Sequence, residues 1–299
     1  MEDFITNIKN QFKKADTVLR FIYVNIAIFL LFALLSIILQ LFNRSGDVLF
    51  QQLALPASFI RFIFQPWSII SYMFMHAGII HLLFNMLWLY WFGQIFLHFF
   101  SAIHLRGLYF LGGIFGGFLY MVSYNIFPYF DPMIEVSTMV GASASVLAIV
   151  MATAYREPNY PIRLFLFGTL RLKYLATFAI ISDLLFITSA NAGGHIAHLG
   201  GALAGLWFAS SLSKGKDRTR WINSIINGII RFFTTPFKKR KKKPKMKIYK
   251  GKRQQDYDYN TQKRQDSAEV DRILEKLKKS GYASLTEEEK KSLFDASKR

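Results

Sequence analysis

Over the first two thirds of the chain, apolar residues run in long blocks that charges rarely interrupt. No charged residue falls between Arg20 and Arg44, and none between Phe62 and Leu105. A helix needs ~20 residues to cross ~30 Å of hydrocarbon. The first block is one such span. The second is too long for one, and Pro66, Trp67, His76 and Gly78 break its early part. A helix is therefore predicted over 78–97, with the stretch ahead of it an apolar, lipid-dipping outer loop. Further helices are predicted over 105–126, 138–155, 173–189 and 195–212. The pattern reads as an all-α membrane protein with six transmembrane helices and both termini on one side.

Charge sharpens this picture. Of 37 Lys and Arg, 26 lie after residue 213, with only 11 of the 19 acidic residues. Cations accumulate on the cytoplasmic side of membrane proteins. Placing the termini inside collects Lys9, Lys13, Lys14, Arg20, Arg106, Arg156, Arg163, Arg171 and Lys173 there, and leaves Arg44 and Arg61 outside. The domain reading is a cytoplasmic segment 1–20, a six-helix body 21–212, a basic and disordered linker 213–266 and a small helical hairpin 267–299. The N-terminus lacks the pattern of a cleaved signal peptide.

In the tail, Lys238 to Lys243 form a run suited to anionic lipid. No nucleic-acid recognition motif accompanies it, so nucleic acid is not expected as a partner. Val270, Ile273, Leu274 and Leu277 mark one helix face, Gly281 a stop, and Thr286 to Glu289 a capping box. Composition adds exclusions. Charged residues make up 19% of the chain, below the usual ~25%. There is no cysteine, which removes disulfides, thiolate metal sites and thiol catalysis.

Polar side chains inside apolar helices carry the candidate chemistry. His81 and Asn85 stand at i and i+4, on one face. They are either hydrogen-bonding glue between helices or donors aimed at a developing negative charge. Gly141-Ala142-Ser143-Ala144-Ser145 combines small residues with a hydroxyl, which suits close packing or a nucleophile with room beside it. His195 and His198 precede Gly201-x-x-x-Gly205, a spacing that brings a second helix close. Asp183 is the only carboxylate within a predicted span, and either bonds a neighbouring helix or tunes a histidine. His76, His81, His195 and His198 do not form the His-Glu-x-x-His pattern of membrane metalloproteases, so no metal or other cofactor is expected.

Taken together, His76-x4-His81-x3-Asn85-Met86, Gly141-Ala142-Ser143-Ala144 and His195-Ile196-Ala197-His198-Leu199-Gly200-Gly201 resemble the rhomboid family of intramembrane serine proteases, in the family's order. The resemblance covers roughly residues 55–212 and implies a six-helix rhomboid bundle of the bacterial plasma-membrane type, with both termini cytoplasmic. It implies Ser143 as nucleophile rather than Ser145, and His198 as general base and then general acid. It implies an oxyanion hole from His81, Asn85 and the Ser143 N–H, with His76, His195, Gly141, Gly201 and Gly205 in support. It also implies a Ser–His dyad without an orienting acid, acting on transmembrane protein substrates. Three positions depart from common family residues: Ser68 after Trp67, Leu97 beyond Gly93, and Leu147 one turn after Ser143. The competing readings are a non-catalytic rhomboid-like protein that binds and escorts membrane helices, and a transporter or channel.

Overall fold

The computed structural model describes residues 2–164, 168–234 and 253–297. The chain is mostly helical and divides into two compact units, residues 1–236 and 237–299. In the first unit, α1 (Thr17–Leu41), α2 (Ile79–Phe99) and α3 (Ala102–Ile126) are each long and apolar enough to cross a membrane. Three more apolar helices follow: α4 (Ser143–Arg156), α5 (Leu172–Leu185) and α6 (Ala192–Leu212). An amphipathic helix, α7 (Arg220–Thr234), closes the unit.

The apolar content is arranged inside out relative to a water-soluble protein. In the most apolar window of α1 only 6% of the residues are buried. Leu30, Leu31, Leu34 and Leu41 all face outward. An apolar surface of that size, on a helix long enough to span, suits hydrocarbon and not water. These long apolar helices and their outward apolar faces mark an integral membrane protein. Short helices at Asp47–Leu53, Phe59–Phe64 and Ser68–Ser71 join α1 to α2; this connection exposes Ile60, Ile63 and Phe64, and Trp67 just ahead of the last helix.

Glycines hold the centre together. A Cβ at Gly201 would fall on the Ala144 carbonyl oxygen, and one at Gly205 on that of Ala148. The backbones of α4 and α6 therefore meet directly, in four-residue steps along both helices. From α3, Gly116 lies against Ala144 and Ala197, and Gly112 against Ala148. Apolar helices in lipid gain nothing from burying more apolar surface, so close van der Waals contact of this kind supplies the attraction.

The observed elements differ from the sequence expectation in three places. The fourth helix begins at Ser143, not near 138. Thr138–Met139 (β2) instead pairs antiparallel with Leu55–Pro56 (β1), with Leu55 opposite Met139. The fifth helix ends at Leu185, ahead of the predicted 189. The segment expected as a disordered linker carries two helices. One is α7, whose Ile222 and Asn223 are buried. Arg106 of α3 donates to Asn223 and Asn227 of α7 at 2.9 and 3.0 Å, and Asn223 donates to the Ile103 carbonyl at 3.1 Å. The other helix, α8 (Arg253–Ser280), lies in the second unit and starts well before residue 267.

In that second unit Gly281 takes a φ of 75° after α8, a conformation open to glycine. A final helix, α9 (Glu287–Ser297), follows. The Glu289 carboxylate accepts from the Thr286 N–H at 2.9 Å and from Lys276 at 2.8 Å, while Thr286 Oγ1 accepts from the Glu289 N–H at 3.3 Å. Ile273 and Leu285 are buried in the hairpin. The Lys238 to Lys243 run lies outside the described residues.

Candidate active site

Ser143 occupies the first position of α4 because the chain turns sharply at Gly141. There φ is +128°, which L side chains rarely adopt. The Gly141 N–H donates to the Tyr72 carbonyl at 2.9 Å. The Tyr72 hydroxyl in turn donates to the Gly113 carbonyl at 2.6 Å, which ties the turn to α3. A Cβ at Gly141 would lie 2.9 Å from the His81 ring. The glycine two residues before Ser143 thus permits both the turn and the close approach of His81. The first N–H groups of a helix lack intrahelical acceptors and sit at its positive end. The Ser143 N–H is one of them.

The Gly201 and Gly205 contacts set the height of α6 against α4. His198 lies three residues before Gly201, and Ser143 lies one residue before Ala144. Both therefore stand at the same end of the paired helices. They line one cavity of about 790 Å³, together with His81 and Asn85 of α2 and Asp183 of α5. Phe84, Trp88 and Phe178 make part of its apolar wall, and Leu147 lines it too. Asn85 donates from Nδ2 to the His81 carbonyl at 2.9 Å. The amide carries two N–H donors, and this bond uses one.

The remaining sequence-derived residues are placed around this cavity, not on its lining. His76, in the loop ahead of α2, is buried edge-on to His81 with ring centroids 5.2 Å apart. Burial first, then the His81 ring, pushes the His76 imidazole down to about 4, so it stands neutral. His195 is one turn from His198 and partly exposed. Gly201 and Gly205 act in packing. Ser145 is buried away from the cavity, and its hydroxyl has no hydrogen-bond partner among the described residues.

The resemblance implies no acid beside the histidine, yet one is present. Asp183 Oδ1 lies 2.9 Å from His198 Nδ1 and 2.8 Å from His195 Nδ1. Sequence spacing leaves open whether this carboxylate meets a neighbouring helix or a histidine, and in the fold it does both. These three residues also bring their donor atoms within 4.8 Å of one another, close enough to share a cation. The hydrogen bonds themselves account for that closeness. The contribution of Gly112 and Gly116 is a second feature that the motif reading passes over. The pair of glycines at i and i+4 on α3 carries the same signal as Gly201 and Gly205.

A family model described as the rhomboid domain matches residues 64–215, half of the chain. The chain belongs to the rhomboid family. A relative from Arabidopsis thaliana, RHOMBOID-like protein 12, mitochondrial, is 28% identical over 160 residues. That alignment covers 50% of this rhomboid chain and 48% of the relative, so the match spans about half of each. A second model, of a family of unknown function, matches residues 254–299, which hold the helical hairpin.

Proposed function

We propose that this rhomboid protein is an intramembrane serine protease that hydrolyses peptide bonds in or near transmembrane helices. The observation that carries the reading is the convergence of Ser143, His198, His81 and Asn85, from three helices, on one cavity. In the proposed reaction the Ser143 hydroxyl proton passes to His198 Nε2 as Oγ bonds the scissile carbonyl carbon. The resulting oxyanion is held by the Ser143 N–H, Asn85 and His81. His198 then protonates the leaving amine, and water releases the acyl group by the same steps in reverse roles. A fluorophosphonate probe tests this directly. The wild-type protein should be labelled and Ser143→Ala should not. A rhomboid-like protein that only binds helices would stay unlabelled in both forms.

Six helices, α1 to α6, cross the bilayer in this proposal, with both termini on the cytoplasmic side of a bacterial plasma membrane. The 14-residue α4 spans only ~21 Å at 1.5 Å per residue, less than the ~30 Å hydrocarbon. Starting it at Ser143 puts the nucleophile below the outer surface, where the cavity supplies the polar groups and water that lipid lacks. A helical substrate has every backbone group bonded internally, so it must unwind locally to offer its carbonyl. Small and helix-breaking residues near its outer end favour cleavage.

The oxyanion assignment makes its own prediction. Losing one donor costs ~3 kcal/mol of transition-state stabilisation, on the order of 10²-fold in turnover. Asn85→Ala is expected to show this loss at an unchanged melting temperature. His81→Ala is expected to lose turnover and stability together, because the ring packs against Gly141 and His76. Turnover of a reporter transmembrane substrate and melting in detergent read the two effects. Normal turnover in Asn85→Ala would reduce that residue to a packing role.

The C-terminal part is proposed to anchor, not to catalyse. α7 exposes Trp221, Ile225, Ile229 and Phe232, and Arg220 and Arg231 lie on the same helix. Such a helix suits the surface of an anionic leaflet, and the basic run beyond it adds ~1 kcal/mol of attraction per cation near the surface. Removing residues 235–299 should leave cleavage in detergent unchanged. Cutting at Lys214 should lower the melting temperature, because it strips the Arg106–Asn223 and Asn223–Ile103 bonds from α3. Loss of cleavage in the shorter truncation, with the body still folded, would show that the tail takes part in turnover.

A further inference from the structure

Asp183 is the only carboxylate in α1 to α6. It is buried, with its side chain 8% exposed. A carboxylate in such a place is costly unless its oxygens are hydrogen-bonded. Satisfying it would take any donor from a neighbouring helix. What the structure provides is more specific: two imidazoles, both presenting Nδ1, both to the same oxygen, at 2.8 and 2.9 Å. An ionised carboxylate oxygen only accepts, so with Asp183 charged each of these Nδ1 atoms is the donor. In a neutral imidazole the lone pair then resides on Nε2, the form needed to take a proton from a serine hydroxyl.

We propose that Asp183 is a positioning residue for the reaction, fixing the orientation and tautomer of His198, while His195 donates to the same oxygen and holds the carboxylate in place. The proposal rests on the assignment of Ser143 and His198 as nucleophile and base. In the acylation step the Ser143 O–H bond breaks, the proton moves to His198 Nε2, and Oγ–C forms. The imidazolium so created faces an ionised Asp183, which keeps its charge throughout and takes up no proton. When the C–N bond breaks, Nε2 returns the proton to the leaving amine. The carboxylate thereby stabilises the charged form of the base at the moment it exists, and does so in surroundings where apolar walls strengthen the attraction.

Three substitutions in the full chain, purified in detergent, test this. Asp183→Asn keeps the shape but offers an N–H to Nδ1, which favours the tautomer with hydrogen on Nε2. It is expected to lower kcat by ~10²-fold with KM little changed. Asp183→Glu should recover part of that loss, and Asp183→Ala none. Nitrogen-15 spectra of histidine-labelled wild-type protein give a readout that no loss of folding in a variant can cloud. They should show His198 with its hydrogen on Nδ1, assigned by comparison with His198→Ala. Hydrogen on Nε2 of the neutral ring in the wild type would overturn the proposal. So would an Asp183→Asn protein with unchanged kcat beside inactive Ser143→Ala and His198→Ala proteins. Loss of wild-type activity on chelation would also overturn it, by showing that the three side chains hold a metal ion. Continued cleavage by Ser143→Ala would instead strike at the protease assignment beneath it, whatever Asp183 does.

Discussion

Replacing Ser143 with alanine is expected to abolish cleavage of a reporter transmembrane substrate, and replacing Ser145 is expected to leave it intact. The two serines are two residues apart, which is ~200° around a helix at 3.6 residues per turn. Ser143 faces the cavity, whereas Ser145 is buried at 1% exposure. Removing the nucleophile of a serine hydrolase lowers turnover by a factor on the order of 10⁶. Nothing near the cavity offers a substitute hydroxyl on α4. Ser145→Ala removes a buried hydroxyl with no partner among the described residues. An unmet buried donor costs ~1–3 kcal/mol, so this variant should melt no lower than wild type. Equal loss of cleavage from both substitutions, or cleavage surviving in Ser143→Ala, would show that the nucleophile lies elsewhere.

The parts of this site that can be read in the sequence are those carried by spacing within one helix. His81 and Asn85 share a face because they are four apart. Gly201 and Gly205 mark a close contact for the same reason. Spacing of this kind does not name the partner across the gap. That Gly201 meets Ala144, and so brings His198 level with Ser143, depends on how two helices pack. The Asp183 bonds fall in the same class, since α5 and α6 are joined by a turn whose geometry fixes which faces meet.

The start of α4 escapes a hydropathy reading for a different reason. Thr138 and Met139 continue the apolar run, but their backbone is drawn into pairing with Leu55 and Pro56, which lie far away in sequence. The α7 helix is the opposite case. Ile222, Ile225, Ile226, Ile229 and Ile230 fall at helical spacing, and the signal is plain once the surrounding basic residues are set aside. Charge density alone makes that stretch resemble a linker. Its buried Asn223 and the bonds to Arg106 show that it belongs to the folded body.

The contrast between the two histidines of α6 gives the second large effect. His198→Ala should eliminate both cleavage and fluorophosphonate labelling, because a serine hydroxyl without a base is a poor nucleophile at neutral pH. His195→Ala should retain labelling and lose only part of its turnover. His198 lines the cavity with Ser143, whereas His195 stands behind that lining, against Asp183 and the edge of the His198 ring. Removing His195 deletes one of the two imidazole bonds to Asp183 Oδ1 and leaves the bond to His198 in place. The expected order of activity is wild type, then His195→Ala, with His198→Ala at the level of Ser143→Ala. Melting curves in detergent should separate this order from any loss of folding, since neither ring is deeply buried. An inactive His195→Ala beside an active His198→Ala would move the base by one turn of α6. The Gly201–Ala144 contact would then no longer explain how base and nucleophile are brought together.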